Sequence, residues 1–307
     1  MLMSASVTVR VPGSTANLGS GFDCVGIAID RWVRVVARSE ASDVPVRLER
    51  HGALEGVGVP AARDLLYLGF VRACQAAGRE PPGGLVLEAS SDIPVARGLG
   101  SSAAAVVAGA VTARALYDLD LDDAALVAVC AGVEGHADNV APSVLGGAIL
   151  VLETATRQLL FTPLEVHASL VLIFAVPDFT LSTERARSVL PSTVPYRTAV
   201  TAAARSAALV HGLAHANPEL LASGLDDVLH VPHRRTLMRG YDDVTAAAVA
   251  AGAYGATLSG SGSTIVAVGS AASASAVKTA MAHAWRAHHV TATTFHIDRP
   301  ATGYEVR

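Results

Sequence analysis

The sequence predicts an α+β fold. Its strand-like segments come in runs, followed by runs of helix-like segments, instead of the strict βα alternation that builds a doubly wound sheet. No repeat of about 20–50 residues interrupts that order. A chain of 307 residues is long enough for two domains or one large one.

The elements follow from apolar periodicity. SVTVRVPGS (6–14) and RWVRVVARS (31–39) alternate as half-buried strands, and VPVRLERHG (44–52) and GGLVLEASS (83–91) repeat the pattern. ARDLLYLGFVRACQAAG (62–78) has helical spacing and stops at Gly78, with Pro81 and Pro82 beyond it. Residues 101–117 are helical by composition, and DDAALVAVCAGVEGHADN (122–139) reads as a second helix with acidic residues at its start. GGAILVLE (146–153) and ASLVLIFAVP (168–177) are strands, the latter apolar on both faces and therefore central. Helices are expected over 183–190, 195–216 and 217–229, the last opened by Asn217 and Pro218 as cap and first residue. ATLSGSGSTIVAVGS (256–270) reads strand, glycine turn, strand; ASAVKTAMAHAWRAHH (274–289) is a helix and VTATTFHID (290–298) a strand. TATRQLLFTPLEVH (154–167) is placed as a boundary between two domains.

Bulk composition excludes several function classes. Hydrophobic residues make up 51% of the chain and the mean hydropathy is +0.42. Even so, the longest charge-free stretch, Val244 to Val277, is broken by GAYGATLSGSGST and lacks the roughly 18–20 consecutive apolar residues of a spanning helix. Much of the apolar score is alanine, so a soluble protein is expected. MLMSASVTVRVPGS has no basic segment followed by an apolar one, which predicts no secretory signal. Cys24, Cys74 and Cys130 are odd in number and lack CxxC spacing, an argument against a disulfide framework or thiolate metal site and for a reducing cytoplasm. A net charge of −4 without a basic cluster disfavours nucleic acid as a partner. The chain has one lysine, Lys278, so a GxxxxGK[ST] phosphate loop is excluded.

Three glycine-rich segments carry the functional signal. In RGLGSSAAA (97–105), two glycines bracket Leu99 and two serines open an alanine-rich helix. Such a mouth is either a serine-capped turn or a cradle in which backbone N–H groups and the helix dipole hold an anion without lysine. VPGSTANLGSGFDCVG (11–26) leads from a strand to Asn17 and Asp23; TLSGSGSTI (257–265) again places N–H donors between strands. Between them, GVEGHADNVAPSVLGG (132–147) crowds Glu134, His136, Asp138 and Asn139 together, without the spacing of a zinc site. A hard cation held by Glu134, phosphate oxygens and water suits that segment better.

These segments, in this order, resemble the GHMP kinase superfamily, whose phosphate loop has the form P-x3-GLGSSAA. Pro94, Arg97, Gly98, Leu99, Gly100, Ser101, Ser102, Ala103 and Ala104 reproduce it. SxANLGxGFDxxGxA at 14–28, EGHxDNVAPSxxGG at 134–147 and HVPHRR at 230–235 resemble the homoserine kinases within that superfamily. The resemblance implies transfer of a phosphoryl group from ATP, with Mg2+, to the hydroxyl of homoserine in threonine biosynthesis. It also implies two domains: one like the second domain of ribosomal protein S5 over 1–160, and a ferredoxin-like one over 161–307. ATP is expected along 94–104 with Gly260 and Gly262, and Mg2+ at Ser101 or Ser102 with Glu134. Asn17, Asp23, His136, Asn139 and Thr183 would meet the amino acid. Arg187 and Arg234 would take its carboxylate; Arg187 could instead sit on the outer face of a helix beside Arg185, and Arg235 rather than Arg234 could face the pocket. Arg97 replaces a small residue of many relatives and would either bond phosphate or point outward; Ser263 stands where proline is frequent. Homodimers are common in the family.

Phosphoryl transfer requires alignment and charge neutralisation. Several GHMP kinases pair an aspartate base with a lysine in the first motif, and VPGSTANLG has no lysine. Asp138 as a base and amides that only orient the hydroxyl are both open. Orientation by Asn17 and Asn139, with the proton leaving late, is the expectation.

Overall fold

A computed structural model describes residues 6–40 and 46–307. The first five residues, read above for a targeting signal, and Val44 and Pro45 of the third strand segment lie outside the described residues. β1 (Ser6–Asn17) and β2 (Gly21–Ser39) form a long antiparallel hairpin, followed by β3 (Val46–Gly52), α1 (Leu65–Ala76) and β4 (Leu85–Ser91). β3 and β4 are parallel, which is why α1 must cross between them. α2 (Ser101–Tyr117), α3 (Asp123–Glu134) and α4 (Val140–Leu145) precede the hairpin of β5 (Ala148–Glu153) and β6 (Leu159–Leu164). The length of β2 lets the sheet divide: residues 33–39 pair with β4, while residues 25–27 pair with β5.

α1 and α2 cross in close backbone contact. A Cβ on Gly69 would lie 2.0 Å from Val106 O, and one on Gly109 would lie 1.8 Å from Leu66 O. The obstacles are backbone carbonyls, which cannot rotate away. Gly109→Ala is therefore expected to destabilise the fold by about 3 kcal/mol, the upper end for overpacking. Thermal melting should show Tm lower by roughly 6 °C or more, and an unchanged Tm would mean that the helices separate without penalty.

The second half opens with β7 (Leu170–Pro177), α5 (Thr183–Ser188), α6 (Tyr196–His215), α7 (Pro218–Leu225), α8 (Val231–Arg234) and α9 (Tyr241–Ala250). It continues with β8 (Gly255–Leu258), β9 (Ile265–Ser270), α10 (Ala274–Ala287), β10 (Ala292–Ile297) and β11 (Glu305–Val306). A four-stranded antiparallel sheet runs β10-β7-β9-β8, with β7 between two neighbours as its apolar run requires. Leu170, Leu172, Phe174 and Val176 face the core shared with the first sheet. Val171, Ile173 and Ala175 face the second core, with Trp285 and Met281 of α10.

Several sequence expectations are corrected. Residues 154–167 are more than a linker, since they carry β6 and extend the first sheet. The helix expected over 122–139 breaks at Gly135, whose φ of 82° is left-handed, so Glu134 ends α3 and Gly135 to Asn139 form a turn before α4. The helix expected over 217–229 ends at Leu225. Most of segment 11–26 is strand. α9 and β11 were not anticipated; β11 returns the chain's last residues to β1, pairing Val9 with Val306.

Candidate active site

The three glycine-rich segments interlock. A Cβ on Gly98 would lie 2.1 Å from Ser259 O, and one on Gly100 would lie 2.2 Å from Ser14 Oγ, at φ values of 74° and 68°. Glycine is needed there for close approach as well as for left-handed backbone. Ser259 Oγ donates to Gly98 O (2.6 Å), Ser14 N to Leu99 O (3.1 Å) and Gly260 N to Ala16 O (2.9 Å). The turn at 97–101 is thus clamped between the first and third segments.

That clamp presents the start of α2 to a cleft of ≈ 400 Å³. Gly100 is the N-cap and supplies no side-chain bond to the helix, so the opening N–H groups of α2 are free for an anion. Gly98, Gly100, Ser101 and Ser102 line the cleft. The serines do not cap the helix: Ser102 Oγ instead donates to Glu134 Oε2 at 2.9 Å. Burial raises the Glu134 pKa, partly offset by Ser102 and by the charge of His136.

Other expected nucleotide contacts do not face this space. Leu99, Ala103 and Ala104 are buried in the core, and Pro94 is not among the lining residues. Arg97 turns away: Nε donates to Pro177 O (2.9 Å) and Nη2 to Asp178 O (3.0 Å), so it ties the loop to the end of β7. The amides of Gly260 and Gly262 are used internally, on Ala16 O and Ser259 O. Gly260 still lines the cleft, and Gly262 does not.

The turn after α3 supplies the acidic centre. Asp138 is 2% exposed, and its Oδ1 receives three contacts: His136 Nδ1 (2.8 Å), Asn139 N (2.9 Å) and Asn139 Nδ2 (3.3 Å). Oδ2 takes part in none of them. Burial disfavours the His136 cation, yet the bond to Asp138 and the charges of Asp138 and Glu134 outweigh it, and the His136 pKa is raised. Asn139 Oδ1 accepts from Ser14 Oγ at 2.9 Å. Asn17 Nδ2 donates to Gly260 O (2.7 Å), and its Oδ1 accepts from Asp23 N (2.9 Å). Both amides expected to orient the hydroxyl are therefore engaged in holding the loops together, although both line the cleft.

Opposite charges gather beside this turn. Asp23 and Arg187 form a bidentate pair at 2.9 and 3.1 Å, each side chain about 40% exposed (39% and 40%). Arg234 is 1% exposed; Nε donates to Ala186 O (3.2 Å), and Nη1 reaches His230 Nδ1 (3.2 Å) and Gly260 O (3.4 Å). No carboxylate lies within 4.0 Å of it among the described residues, and burial pulls its pKa down to about 10, with Arg187 adding to the effect. Arg187 and Arg234 both line the cleft, whereas Arg235, the alternative to Arg234, pairs with Asp242 (3.1 Å). Thr183 Oγ1 lies 3.3 Å from Ser261 Oγ, both at the cleft. Burial, with Asp138 and Asp23 nearby, pushes the Cys24 thiol up to about 11, so the thiol form is favoured there.

Sequence reasoning missed Ser14, Ser261 and the apolar part of the lining: Leu48, Leu54, Val57, Val59, Leu65 and Leu66. The short apolar residues of GVGVP (56–60) were the available signal.

Residues 66–147 match the family model of the GHMP kinases N terminal domain, and residues 206–287 that of the GHMP kinases C terminal domain. The chain belongs to the GHMP kinase family. Its relatives include the homoserine kinase of Trichormus variabilis, 42% identical and covering 93% of this chain and 94% of that protein. The homoserine kinase of Picosynechococcus is 41% identical, with 91% and 92% covered. Among solved structures, a homoserine kinase from Cytophaga hutchinsonii superposes with a TM-score of 0.89 at 29% identity, over 100% of this chain and 99% of that one. Mevalonate kinase from L. major, in complex with R-mevalonate, shares the fold at a TM-score of 0.67 and 17% identity, with 99% and 98% covered.

Proposed function

We propose that this protein transfers the γ-phosphoryl group of ATP to the hydroxyl of L-homoserine, giving O-phospho-L-homoserine and ADP. One juxtaposition carries the reading. The uncapped start of α2 opens onto the same cleft as Asp23, Arg187 and Arg234, a charge set complementary to an amino-acid zwitterion. Relatives near 40% identity over nine-tenths of the chain are homoserine kinases, which supports the same substrate.

In this reading the triphosphate lies against the free N–H groups of α2, and the base enters the apolar slot between Leu48, Leu54 and Leu65. Asp23 takes the ammonium; Arg187 and Arg234 take the carboxylate in fork geometry. The Asp23–Arg187 pair then opens to admit the zwitterion, each partner exchanging one ion contact for another. Asp138 Oδ2, the oxygen left outside the turn's own bonds, accepts the hydroxyl proton as the oxygen attacks the γ-phosphorus. This departs from the expectation that Asn17 and Asn139 orient the hydroxyl, because those amides are already committed.

Mg2+, which the family implies, fits Ser102 and Glu134: a hydroxyl and a carboxylate oxygen 2.9 Å apart at a helix N-terminus are the hard donors this ion takes alongside phosphate oxygens. Bound there, the ion would neutralise charge on the phosphate oxygens. Ser102→Ala and Glu134→Gln are each expected to raise KM for Mg-ATP about tenfold or more while leaving KM for homoserine within about twofold. Steady-state titration of each substrate checks this, and equal shifts in both constants would count against the assignment.

The decisive experiment is an ADP-coupled assay with homoserine, mevalonate and shikimate offered separately. Turnover with homoserine alone is expected. Preference for either of the others, or no ADP release with homoserine, would overturn the proposal.

A further inference from the structure

His230 is completely buried yet lies in none of the contacts assigned above to substrate. It sits at the junction of three elements. Its ring stacks on Phe22 of β2 (centroids 4.7 Å apart, 20° between planes), and Nε2 lies 3.1 Å from Gly19 O in the β1–β2 turn. Nδ1 lies 3.2 Å from Nη1 of Arg234, one helical turn later. A carbonyl can only accept, so Nε2 carries the hydrogen; a guanidinium can only donate, so Nδ1 is the bare nitrogen. The contacts fix a single neutral tautomer. Burial, with the Arg234 charge adding to it, pushes the ring's pKa down to about 4 despite the opposing pull of Asp227. Asp227 sets the backbone beneath: its Oδ2 accepts from Leu229 N (3.0 Å), His230 N (2.6 Å) and Val231 N (2.8 Å). Arg234 also lies over the Phe22 ring, 5.1 Å from its centroid.

We propose that His230 is a positioning residue: its unprotonated Nδ1 fixes the Arg234 guanidinium in the orientation that receives the substrate's carboxylate, and its Nε2–H locks that orientation to the ANLGSGFD turn. The arrangement explains how a buried arginine without a carboxylate partner keeps one direction. Its Nη1 is held from behind by His230 and Gly260 O, its Nε by Ala186 O, and Nη2 takes part in none of these bonds. The inference rests on the homoserine reading for its ligand and on the His230 contacts for its mechanism.

Two substitutions separate the two ring nitrogens. His230→Asn keeps an acceptor near the Nδ1 position and loses the donor to Gly19; His230→Gln keeps a donor near Nε2 and loses the acceptor for Arg234. His230→Gln, which loses the direct contact to Arg234, is expected to raise KM for homoserine about tenfold, with KM for ATP within about twofold and kcat within about threefold. His230→Asn, which loses only the lock to Gly19 O, should raise KM for homoserine by a smaller factor, about threefold, with the other two constants within about twofold. An unchanged homoserine KM in His230→Gln, equal rises for both substrates, or the reverse order of the two variants would overturn the proposal. A long-range 1H–15N spectrum of the wild-type protein tests the same claim without any variant. The Nε2–H tautomer is expected at neutral pH, and an Nδ1–H tautomer or an imidazolium would overturn it. Wild-type turnover with homoserine is measured first: its absence sinks the substrate reading, while the tautomer experiment still judges the His230–Arg234 contact.

Discussion

Asp138→Asn is expected to lower kcat by roughly 10²–10⁴, the range for loss of a general base, while KM for ATP and homoserine stays within about threefold. The physical reason lies in how the carboxylate is divided. Oδ1 is taken up by His136 Nδ1, Asn139 N and Asn139 Nδ2, which fix the group in place. Oδ2 is spared from that work. Asparagine can keep the Oδ1 contacts through its carbonyl, but its amide nitrogen then stands where a proton acceptor is required. The rival arrangement, a hydroxyl merely oriented by Asn17 and Asn139, meets the difficulty that Gly260 O, Asp23 N, Ser14 Oγ and Asp138 already occupy those amides. Initial rates in the ADP-coupled assay, with thermal melting to show that the variant folds, separate the two. A variant within threefold of wild-type kcat would restore the amides to the leading role.

Arg234→Met is expected to have the opposite signature: a large loss of homoserine affinity without loss of stability. A desolvated arginine meeting a carboxylate is the kind of contact whose truncation costs about 2–5 kcal/mol, so KM for homoserine should rise roughly 30-fold to more than 10³-fold. In the substrate-free protein, however, the guanidinium is 1% exposed and its bonds go to two carbonyls and a neutral imidazole. Burying a cation without a counter-charge is unfavourable, and methionine fills similar length with apolar atoms. Tm is therefore expected to stay level or rise. Differential scanning fluorimetry and homoserine titration together check it; a Tm drop of several degrees would make Arg234 a structural residue instead.

How much of this was legible in the sequence depends on the range of the interaction. β7 was readable as a central strand because a fully apolar run fits only a position with partners on both sides. The α2 cradle was readable because glycine–leucine–glycine before an alanine-rich helix is a local pattern. β6 was not, since LLFTPL lies at the sheet's edge with half its residues exposed, and its threonine and proline mimic a linker. Arg97 illustrates the limit for side chains. Its position beside the phosphate loop suggested a ligand, but the carbonyls that hold it come from residues 177 and 178. The Asp23–Arg187 pair joins residues 164 positions apart, so the two were legible as separate substrate contacts and not as partners of one another. The glycines of 257–265 offer N–H donors by pattern alone. Sequence could not reveal that Gly260 N is spent on Ala16 O of the first segment and Gly262 N on Ser259 O within the turn, with Ser261 left to face the cleft.

The interlock of the GLGSS turn with Ser14 on one side and Ser259 on the other bears on how such a protein can evolve. Leu181 N also donates to Ala96 O at 3.2 Å, and Thr264 N to Arg97 O at 3.0 Å, so the loop that opens α2 is shaped by segments laid down far later in the chain. That loop is therefore not a detachable cassette. Recombination that swapped only the stretch before residue 165 would bring a GLGSS turn to a foreign 257–264 hairpin, and viable hybrids must inherit both as a set.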